Sequence, residues 1–468
     1  MQRPATDVAR LPAVFDPDRS QTFRYGGFDY DRSTGVLTCA YSLDDIEFVE
    51  HIGFHLAAEP SPHEVVPDEL VQRAVRLVYL LAGISYFKAG CPPVIDLSND
   101  ALTDAERALL EAFYLHGLGE FAFRNELDLR DLRIEAPARR ATGAPGGAAL
   151  RSPSGTTRRP LVPFGGGIDS IVSVEAVRPH QPDARLFVLN EFPAIEASID
   201  TTRLGVVRAT RRIDPLLLEL NTRGARNGHV PITGILSAIA VASAVLHGAD
   251  EVVMSNEWSA SSGNVVWNGR EINHQWSKSL EFESLLRSVV RESLGDAVDY
   301  FSLLRPLTSL RIAQLFAGHP AYLSTFRSCN RAFHIDEHAR RTEWCGECDK
   351  CCFVDLILSP FVDAAVLDEV FGGREPLRRE ALRPQFDLLL SLGAGRKPFE
   401  CVGDEHECRA AAFLTARRDD RREHTMVQSL AQAALRAEPG LPQQIDTLLA
   451  PIGPHHIPSH HAAAIGLG

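Results

Sequence analysis

Alternating apolar and polar residues dominate the first part of the chain. From Phe23 to Val49 the alternation is interrupted only by glycine-containing turns near residues 26 and 34. A period of two with turns at this spacing predicts a small antiparallel β unit. Residues 63 to 90 and 101 to 116 have helical periodicity instead. We therefore expect residues 1–141 to form an N-terminal α+β domain.

The pattern changes after a segment without apolar periodicity. Residues 136–159 are rich in Gly, Pro, Ser and Thr, so residues 142–159 are expected to be a linker. Beyond it, the short apolar runs RPLVPF, RLFVLN, IDPLLLEL, DEVVMSN and YFSLLRPL alternate with helix-like segments. This alternation predicts a doubly wound, mainly parallel α/β sheet over residues 160–360. Residues 361–450 are expected to be helical, and residues 451–468, with four histidines, to form a flexible, solvated tail.

The composition and net charge of the chain limit the kinds of partner that it is expected to bind. The chain has 468 residues, 45% of them hydrophobic and 23% charged, and this length suggests more than one domain. A formal net charge of −13 disfavours binding to nucleic acid. The longest apolar segments contain Ser and His and are too short to span a bilayer, and the N-terminus lacks a secretory signal. We expect a cytoplasmic protein that does not bind membranes.

Three consecutive glycines interrupt the first apolar run beyond the linker, in PFGGGIDSIVS. Gly165, Gly166 and Gly167 lie between a predicted strand and a predicted helix, where a tight turn presents backbone N–H groups to an anion. Asp169 and Ser170 suit the first turn of the helix, and Ser170 can add a hydroxyl donor. The spacing matches neither the dinucleotide fingerprint nor the Walker P-loop. The loop predicts a phosphate site, with a ligand-free βα turn as the alternative.

Polar residues also follow other predicted strands. Ligands of doubly wound sheets bind at the carboxyl ends of the strands, so Asn190 and Glu191 are expected to join the glycine loop in binding the nucleotide. The block from Met254 to Glu283 is dense in hydrogen-bonding side chains suited to a polar, sugar-bearing or peptide ligand. Its predicted substrate-binding residues are Asn256, Asn273, Gln275, Ser277 and Ser279. The alternative is a surface hairpin at WNGR followed by a capped helix.

Proton transfer requires groups that titrate near neutral pH. His274 does so, and the thiol of Cys401 does so if a neighbour such as Lys397 lowers its pKa. Lys278 and Glu257 are alternatives, better suited to binding phosphate and to binding metal or ribose, respectively. These four residues are the catalytic candidates, and a structural role is the alternative for each of them.

The cysteines indicate a metal site rather than a disulfide framework. Cys345, Cys348 and Cys351 have the spacing of metal ligands, and Cys329, sixteen residues before the first of them, can complete a tetrahedral zinc site. Cys352 could replace Cys351. An iron–sulfur cluster, redox chemistry and reduced buried thiols are the alternatives. We expect structural zinc without a catalytic role, because four cysteine ligands leave no position for water.

The glycine loop resembles the S-G-G-x-D-S motif of the PP-loop ATP pyrophosphatases, with Gly165 in place of the leading Ser. Together with SNEWSASSGNV, NHQWSKSLEFE, SCN, WCGECDKCCFVDLILSPF and RKPFECVG, it resembles the MurL family, from about residue 22 to about residue 410. These are the UDP-N-acetyl-α-D-muramoyl-L-alanyl-L-glutamate epimerases. The resemblance implies a PP-loop (HUP-like) sheet and an isomerase that inverts the terminal L-Glu of UDP-MurNAc-L-Ala-L-Glu during peptidoglycan precursor synthesis. It also implies ATP and Mg²⁺, with release of AMP and pyrophosphate.

The use of ATP for such an inversion has a chemical reason. An ionised α-carboxylate opposes loss of the neighbouring Cα proton, because a second negative charge must develop beside the first. Adenylation removes the first charge, and closure of the adenylate to an oxazolone is a further hypothesis. Two other functions remain as alternatives: another PP-loop adenylating enzyme, either an amidoligase or a tRNA-modifying thiolase, and a noncatalytic nucleotide-binding protein.

Overall fold

The predicted antiparallel unit forms three strands that belong to one large sheet. A computed structural model describes residues 11–56, 66–142, 158–333, 338, 340–393 and 398–467. The strands are β1 (Thr22–Asp31), β2 (Val36–Leu43), β3 (Ile46–Phe54), β4 (Val94–Asp96), β5 (Arg133–Glu135), β6 (Pro160–Pro163), β7 (Arg185–Leu189), β8 (Val206–Arg212), β9 (Glu251–Met254), β10 (Val265–Trp267), β11 (Arg270–Ile272) and β12 (Asp299–Ser302). The ten-stranded sheet has the order β12-β9-β6-β7-β8-β3-β2-β1-β4-β5, and β10 and β11 form a separate hairpin.

The half of the sheet that carries the glycine loop is parallel. Each of β12, β9, β6, β7 and β8 runs parallel to its neighbours within this half. All residues of β6 and β9 are buried, as expected for strands covered by helices on both faces. The predicted α/β class with a mainly parallel sheet is thereby confirmed.

The N-terminal strands extend this sheet instead of forming a sheet of their own. β1, β2 and β3 are an antiparallel meander, and β3 pairs antiparallel with β8. Alternate residues of β2 point into the core, as the period of two predicts. The predicted linker lies mostly outside the described residues. The domain boundaries themselves stay a prediction, but the sheet is continuous across the two regions.

Helices pack on the sheet, and further helices follow its last strand in the chain. They are α1 (Asp68–Ala82), α2 (Ile84–Phe87), α3 (Asp104–Leu115), α4 (Gly119–Arg124), α5 (Ile168–Val177), α6 (Pro193–Thr202), α7 (Pro215–Thr222), α8 (Ile232–Leu246), α9 (Leu280–Leu294), α10 (Ser309–Ala317), α11 (Asp349–Leu358), α12 (Ala364–Val370), α13 (Arg383–Leu389), α14 (Glu405–Thr415), α15 (Thr425–Ala437), α16 (Leu441–Leu448) and α17 (Ser459–Ala462). Two apolar cores result, one with the N-terminal strands and α1, α8 and α9, the other with α5, α10, α11 and the C-terminal helices.

One predicted strand is wrong. The run IDPLLLEL is helix α7, and the strand of this βαβ unit is the preceding β8. Asp214 accepts a hydrogen bond from the backbone N–H of Leu216, and Pro215 occupies the first turn. An N-cap followed by proline starts a helix, and these two residues outweigh the apolar run.

The C-terminal residues also differ from expectation. Helices α12 to α16 lie in the region expected to be helical, and His461 near the end of the chain is buried instead of solvated. His461 is 1% exposed, and its ring lies 2.9 Å from a carboxylate oxygen of the buried Glu251. His460 contacts the other oxygen at 2.7 Å. A buried carboxylate requires polar partners, and these histidines provide them.

Among the residues that the structure describes, one apolar segment has the length and hydropathy of a membrane span. It covers Asp68–Phe87, with a mean hydropathy of 1.2, and 83% of its most apolar part is buried inside the protein. The segment, which comprises α1 and α2, thus uses most of its apolar surface in packing inside the protein.

Candidate active site

The glycine loop connects β6 to α5 at the carboxyl edge of the parallel strands. Gly166 has a φ of +68°, and a Cβ there would lie 2.8 Å from the side chain of Ile195. A Cβ at Gly167 would lie 2.6 Å from the hydroxyl of Ser328, whereas one at Gly165 would meet no described heavy atom within 4 Å. Glycine is thus required for conformation at one position and for space at two. The first N–H groups of α5 follow directly, as an anion site requires.

The two polar residues of the first turn of α5 differ in what they contact. The hydroxyl of Ser170 donates to the carbonyl of Gly167 at 3.1 Å, so its proton is used within the loop. Asp169 faces a small cavity that also contains Glu257. Burial, and then the charge of Glu257, raises the pKa of Asp169 to about 7. Two carboxylates brought together in this way fit a divalent cation, whose charge would relieve their repulsion.

The same cavity brings together residues that are far apart in sequence. Besides the two carboxylates, it contains two lysines and a thiol, and apolar residues of α11 close one side. Its lining residues are Ile168, Asp169, Glu257, Lys278, Ser309, Ser328, Lys350, Phe353, Val354, Ile357, Cys401 and Gly403. The glycine-loop carboxylate and the predicted catalytic residues Glu257, Lys278 and Cys401 therefore share one site.

Cys401 is held between cationic groups. The ammonium of Lys278 lies 3.4 Å from its sulfur, and His274 also acts electrostatically on the thiol. Burial alone would raise the pKa of Cys401, but Lys278, His274 and Lys350 together lower it to about 6. The thiolate is thus the main form at neutral pH. Lys397, the neighbour suggested by the sequence, lies outside the described residues.

His274 is positively charged because two anionic groups favour its protonated form. Its Nδ1 makes a short hydrogen bond to Glu120, and the negative charge of the Cys401 thiolate also favours the imidazolium. Burial opposes the imidazolium, but these two anions raise the pKa of His274 to about 9. Glu120 is 5% exposed and also accepts from Arg124 at 2.6 Å. Between pH about 6 and about 9, Cys401 and His274 thus form a thiolate–imidazolium pair oriented by a carboxylate.

A second imidazole lies beside this pair and is neutral. The ring centroid of His229 is 4.5 Å from that of His274, and its Nδ1 is 3.6 Å from Glu120. Burial and the neighbouring imidazolium lower the pKa of His229 to about 4. Only one of the two rings is therefore charged, and the carboxylate of Glu120 pairs with His274.

Two side chains link the segments that carry His274, Cys401, Glu257 and Lys278. Asn264 accepts from the backbone N–H of His274 and donates to the carbonyl of Pro398, both at 2.9 Å, so it links the segments of His274 and Cys401. Arg305, 1% exposed, donates to the backbone carbonyls of Glu257 at 2.8 Å and Lys278 at 2.6 Å. The Asn-Gly hairpin of β10 and β11 expected from WNGR carries His274 just after its second strand.

Several predicted binding residues use their polar groups internally. The side chain of Asn190 accepts from the backbone N–H of Arg211 at 2.8 Å, and Glu191 is exposed. Asn256 donates to Ser302 at 3.0 Å, and Asn273 to the carbonyl of Ala260 at 2.9 Å.

Of three further predicted residues, Gln275 contacts the neighbours of the thiol. Gln275 accepts from Lys278 at 3.3 Å and donates to the carbonyl of Val402 at 3.4 Å. Ser277 is buried, and Ser279 caps α9. The nucleotide- and substrate-binding roles of all these residues stay predictions.

The four predicted cysteine ligands converge. The sulfur atoms of Cys329, Cys345, Cys348 and Cys351 all lie within 4.8 Å of one another, and Cys351 is 3.5 Å from both Cys345 and Cys348. This spacing fits four thiolates around one tetrahedral ion such as zinc. Cys348 is the N-cap of α11, whose second residue, Lys350, hydrogen-bonds the backbone carbonyl of Cys401. The cluster therefore supports one wall of the cavity.

A larger cavity lies elsewhere on the sheet. Its volume is about 1370 Å³, and its lining includes His51, Arg212 and His247. None of the site residues predicted from the sequence is among the described residues that line it. By size alone, this cavity would be the candidate active site. The titratable groups that converge on the smaller cavity favour that one instead.

Sequence reasoning missed Glu120, His229 and Lys350. Glu120 and His229 lie in segments without a recognisable motif, and only the fold brings them to His274. Lys350 lies inside the cysteine motif CDKCC. A cation next to predicted metal ligands was the signal that could have identified it.

This α/β protein thus brings a glycine loop at the end of a parallel strand close to an acidic pair, a thiol and an imidazole, an arrangement that suits anion binding and proton transfer. Family models described as the MurL N-terminal domain and the MurL C-terminal domain match residues 14–303 and 325–443. The chain belongs to the MurL family.

Similar proteins cover nearly the whole chain. A protein of a Micromonospora species is 41% identical over 96% of this chain and 98% of its own length. Proteins of Xanthomonas oryzae pv. oryzae and Salinispora tropica are each 39% identical, over 95% and 96% of this chain and 97% and 96% of their own lengths. All three are named UDP-N-acetyl-alpha-D-muramoyl-L-alanyl-L-glutamate epimerase. Epimerases are isomerases, so the predicted enzyme class is confirmed.

Proposed function

We propose that the protein inverts the terminal L-Glu of UDP-MurNAc-L-Ala-L-Glu to D-Glu, in peptidoglycan precursor synthesis. The names of its relatives support this substrate. The observation that carries the proposal is that Asp169 of the glycine loop and the thiolate of Cys401 line the same cavity. Activation of a carboxylate and exchange of the neighbouring proton can then take place at one site.

ATP is proposed as the second substrate. The N–H groups at the start of α5 and the open backbone at Gly165 suit a phosphate chain, as in the PP-loop type of sheet that the glycine motif resembles. Transfer of AMP to the α-carboxylate releases pyrophosphate and removes the charge that opposes ionisation of Cα. Asp169 and Glu257 would hold Mg²⁺, which supplies positive charge to the reacting phosphates.

Proton exchange at Cα is assigned to the residues around the thiol. His274, oriented by Glu120, would act as the base once it has lost its own proton, and Lys278 would be the proton donor. His229 lies beside His274 and is neutral, so only the ring of His274 carries a positive charge. The four cysteines would hold structural zinc, which stabilises the wall carrying Lys350. We expect the protein to act in the cytoplasm, without nucleic acid or membrane.

The experiment is incubation with ATP, Mg²⁺ and UDP-MurNAc-L-Ala-L-Glu in deuterium oxide. We expect D-Glu with deuterium at Cα, together with AMP and pyrophosphate. Product containing added nitrogen would instead indicate an amidoligase. Inversion without ATP consumption would contradict the proposed activation, and the absence of any turnover would contradict the proposed substrate.

A further inference from the structure

The thiolate of Cys401 has no assigned chemical step, although it is the most activated group of the cavity. Its sulfur lies 3.4 Å from the ammonium of Lys278, and His274 and Lys350 also favour the thiolate. Cys401 and Lys278 line the cavity of Asp169, where the activated carboxyl forms under the proposed function. A carbonyl carbon bearing a good leaving group would therefore form next to a nucleophile.

The electrostatics favour a nucleophile over a base. The cations Lys278, His274 and Lys350 stabilise the thiolate, and an anion stabilised in this way is a weak proton acceptor. Sulfur nucleophilicity falls much less steeply than basicity, so such a thiolate still attacks an activated carbonyl. The imidazole ring, in contrast, is built for proton transfer, because Glu120 orients it from the side of Nδ1.

We propose that Cys401 takes the glutamyl group from AMP as a covalent thioester, and that inversion takes place on this thioester. The sulfur attacks the activated carbonyl carbon. A C–S bond forms, the bond from that carbon to the phosphate oxygen breaks, and AMP leaves with the electron pair. A thioester carries no charge beside Cα and stabilises an enolate, so the Cα proton becomes removable. This inference rests on the proposed adenylation.

Acylation also prepares the base. It removes the thiolate charge that helps to keep His274 protonated, so the imidazolium releases its proton to water and becomes neutral. Neutral His274 then takes the Cα proton, and Lys278 returns a proton to the opposite face of the enolate. Both side chains re-equilibrate with water. In the last step water attacks the carbonyl carbon, the C–S bond breaks, a proton of the water passes to His274, and the product carboxylate loses the other proton to solvent.

The experiment is acid quenching of the full-length protein during turnover of UDP-MurNAc-L-Ala-L-Glu with ATP and Mg²⁺, followed by mass spectrometry of the peptide containing Cys401. We expect this peptide to gain the mass of the substrate acyl group and to lose it on treatment with hydroxylamine. Cys401→Ala should abolish the adduct and deuterium incorporation but retain exchange of labelled pyrophosphate into ATP. This exchange also shows that the variant is folded. His274→Gln should retain the adduct and lose Cα exchange.

The control is Cys91→Ala, because Cys91 is a free thiol outside the cavity, and this variant should retain the adduct and turnover. Inversion by Cys401→Ala near the wild-type rate would overturn the thioester, as would wild-type inversion without an adduct at Cys401. Failure of the wild type to exchange pyrophosphate would overturn the proposed adenylation itself. The exchange assay thus separates failure of the two proposals.

Discussion

The ammonium nitrogen of Lys278 lies 3.4 Å from the thiol sulfur of Cys401, although 123 residues separate them in the chain. The lysine follows the hairpin of β10 and β11, and the cysteine precedes α14. Their contact joins the polar block after β9 to the C-terminal region, beside the carboxylate of Asp169. Charge at this junction decides whether the sulfur is a thiol or a thiolate.

Replacement of Lys278 by methionine should raise the pKa of Cys401. Burial raises the pKa of this thiol, and Lys278 is the nearest cation that lowers it. Without Lys278, the pH midpoint of thiol alkylation by iodoacetamide should rise from about 6 towards the ordinary value near 9. Each unit corresponds to about 1.4 kcal/mol of lost thiolate stabilisation. Since the thiolate reacts, wild-type alkylation and kcat/KM should both increase as pH rises through about 6. Lys350→Met should cause a smaller shift, and equal midpoints in all three proteins would contradict the assignment.

Replacement of Glu120 by glutamine should lower the pKa of His274. The carboxylate favours the imidazolium, so its removal should move the titration midpoint, measured by NMR of the ring, from about 9 towards 6.5. Glu120→Asp keeps the charge and should recover part of the shift. A loss of activity without a change in the titration of His274 would assign Glu120 a structural role only.

Much of this arrangement could be predicted from the sequence, and the rest could not for a physical reason. The period of two in β1 to β3 and the turn chemistry of Asn268 and Gly269 are local signals, and the structure follows them. The Cys345, Cys348 and Cys351 spacing is equally local. The helix at IDPLLLEL was missed because Asp214 and Pro215 are a stronger signal than the apolar run after them.

Long-range electrostatics has no such local signature. His274 and Cys401 were selected as residue types able to titrate, but the charges that tune them come from Glu120 and Lys278, and only folding brings the first to His274 and the second to Cys401. Glu251 and His461 are likewise far apart in the chain, and folding brings them into contact. This contact holds a segment whose composition suggested a tail.

Alanine at Gly166 should destabilise the protein and weaken pyrophosphate exchange. Its φ of +68° is unfavourable for a residue with a Cβ by about 1–2 kcal/mol, and the added atom would lie 2.8 Å from Ile195. Thermal unfolding measures the stability change. Gly165→Ala is the matched control, since its Cβ would meet no described heavy atom within 4 Å and should leave the melting temperature unchanged. Equal melting temperatures for both variants would contradict this account of the loop.

Removal of the metal proposed for the four cysteines should loosen the wall of the cavity. We expect Cys345→Ser to lose zinc, measured by elemental analysis, and to unfold at a lower temperature, because metal binding stabilises the fold that holds the ligands. Cys352→Ala removes a buried thiol that is outside the set of four and should retain the metal. Full zinc content in Cys345→Ser would show that another set of ligands binds it.

The most direct test of the central claim follows the oxygen atoms of the glutamate. With both oxygens of the α-carboxylate carrying a heavy-oxygen label, activation at the glycine loop predicts that one labelled oxygen appears in AMP for each inverted glutamate. The released D-Glu then contains one oxygen from water. Inversion with unlabelled AMP would contradict the account, because ATP would then be hydrolysed without activating the carboxylate whose neighbouring carbon is inverted.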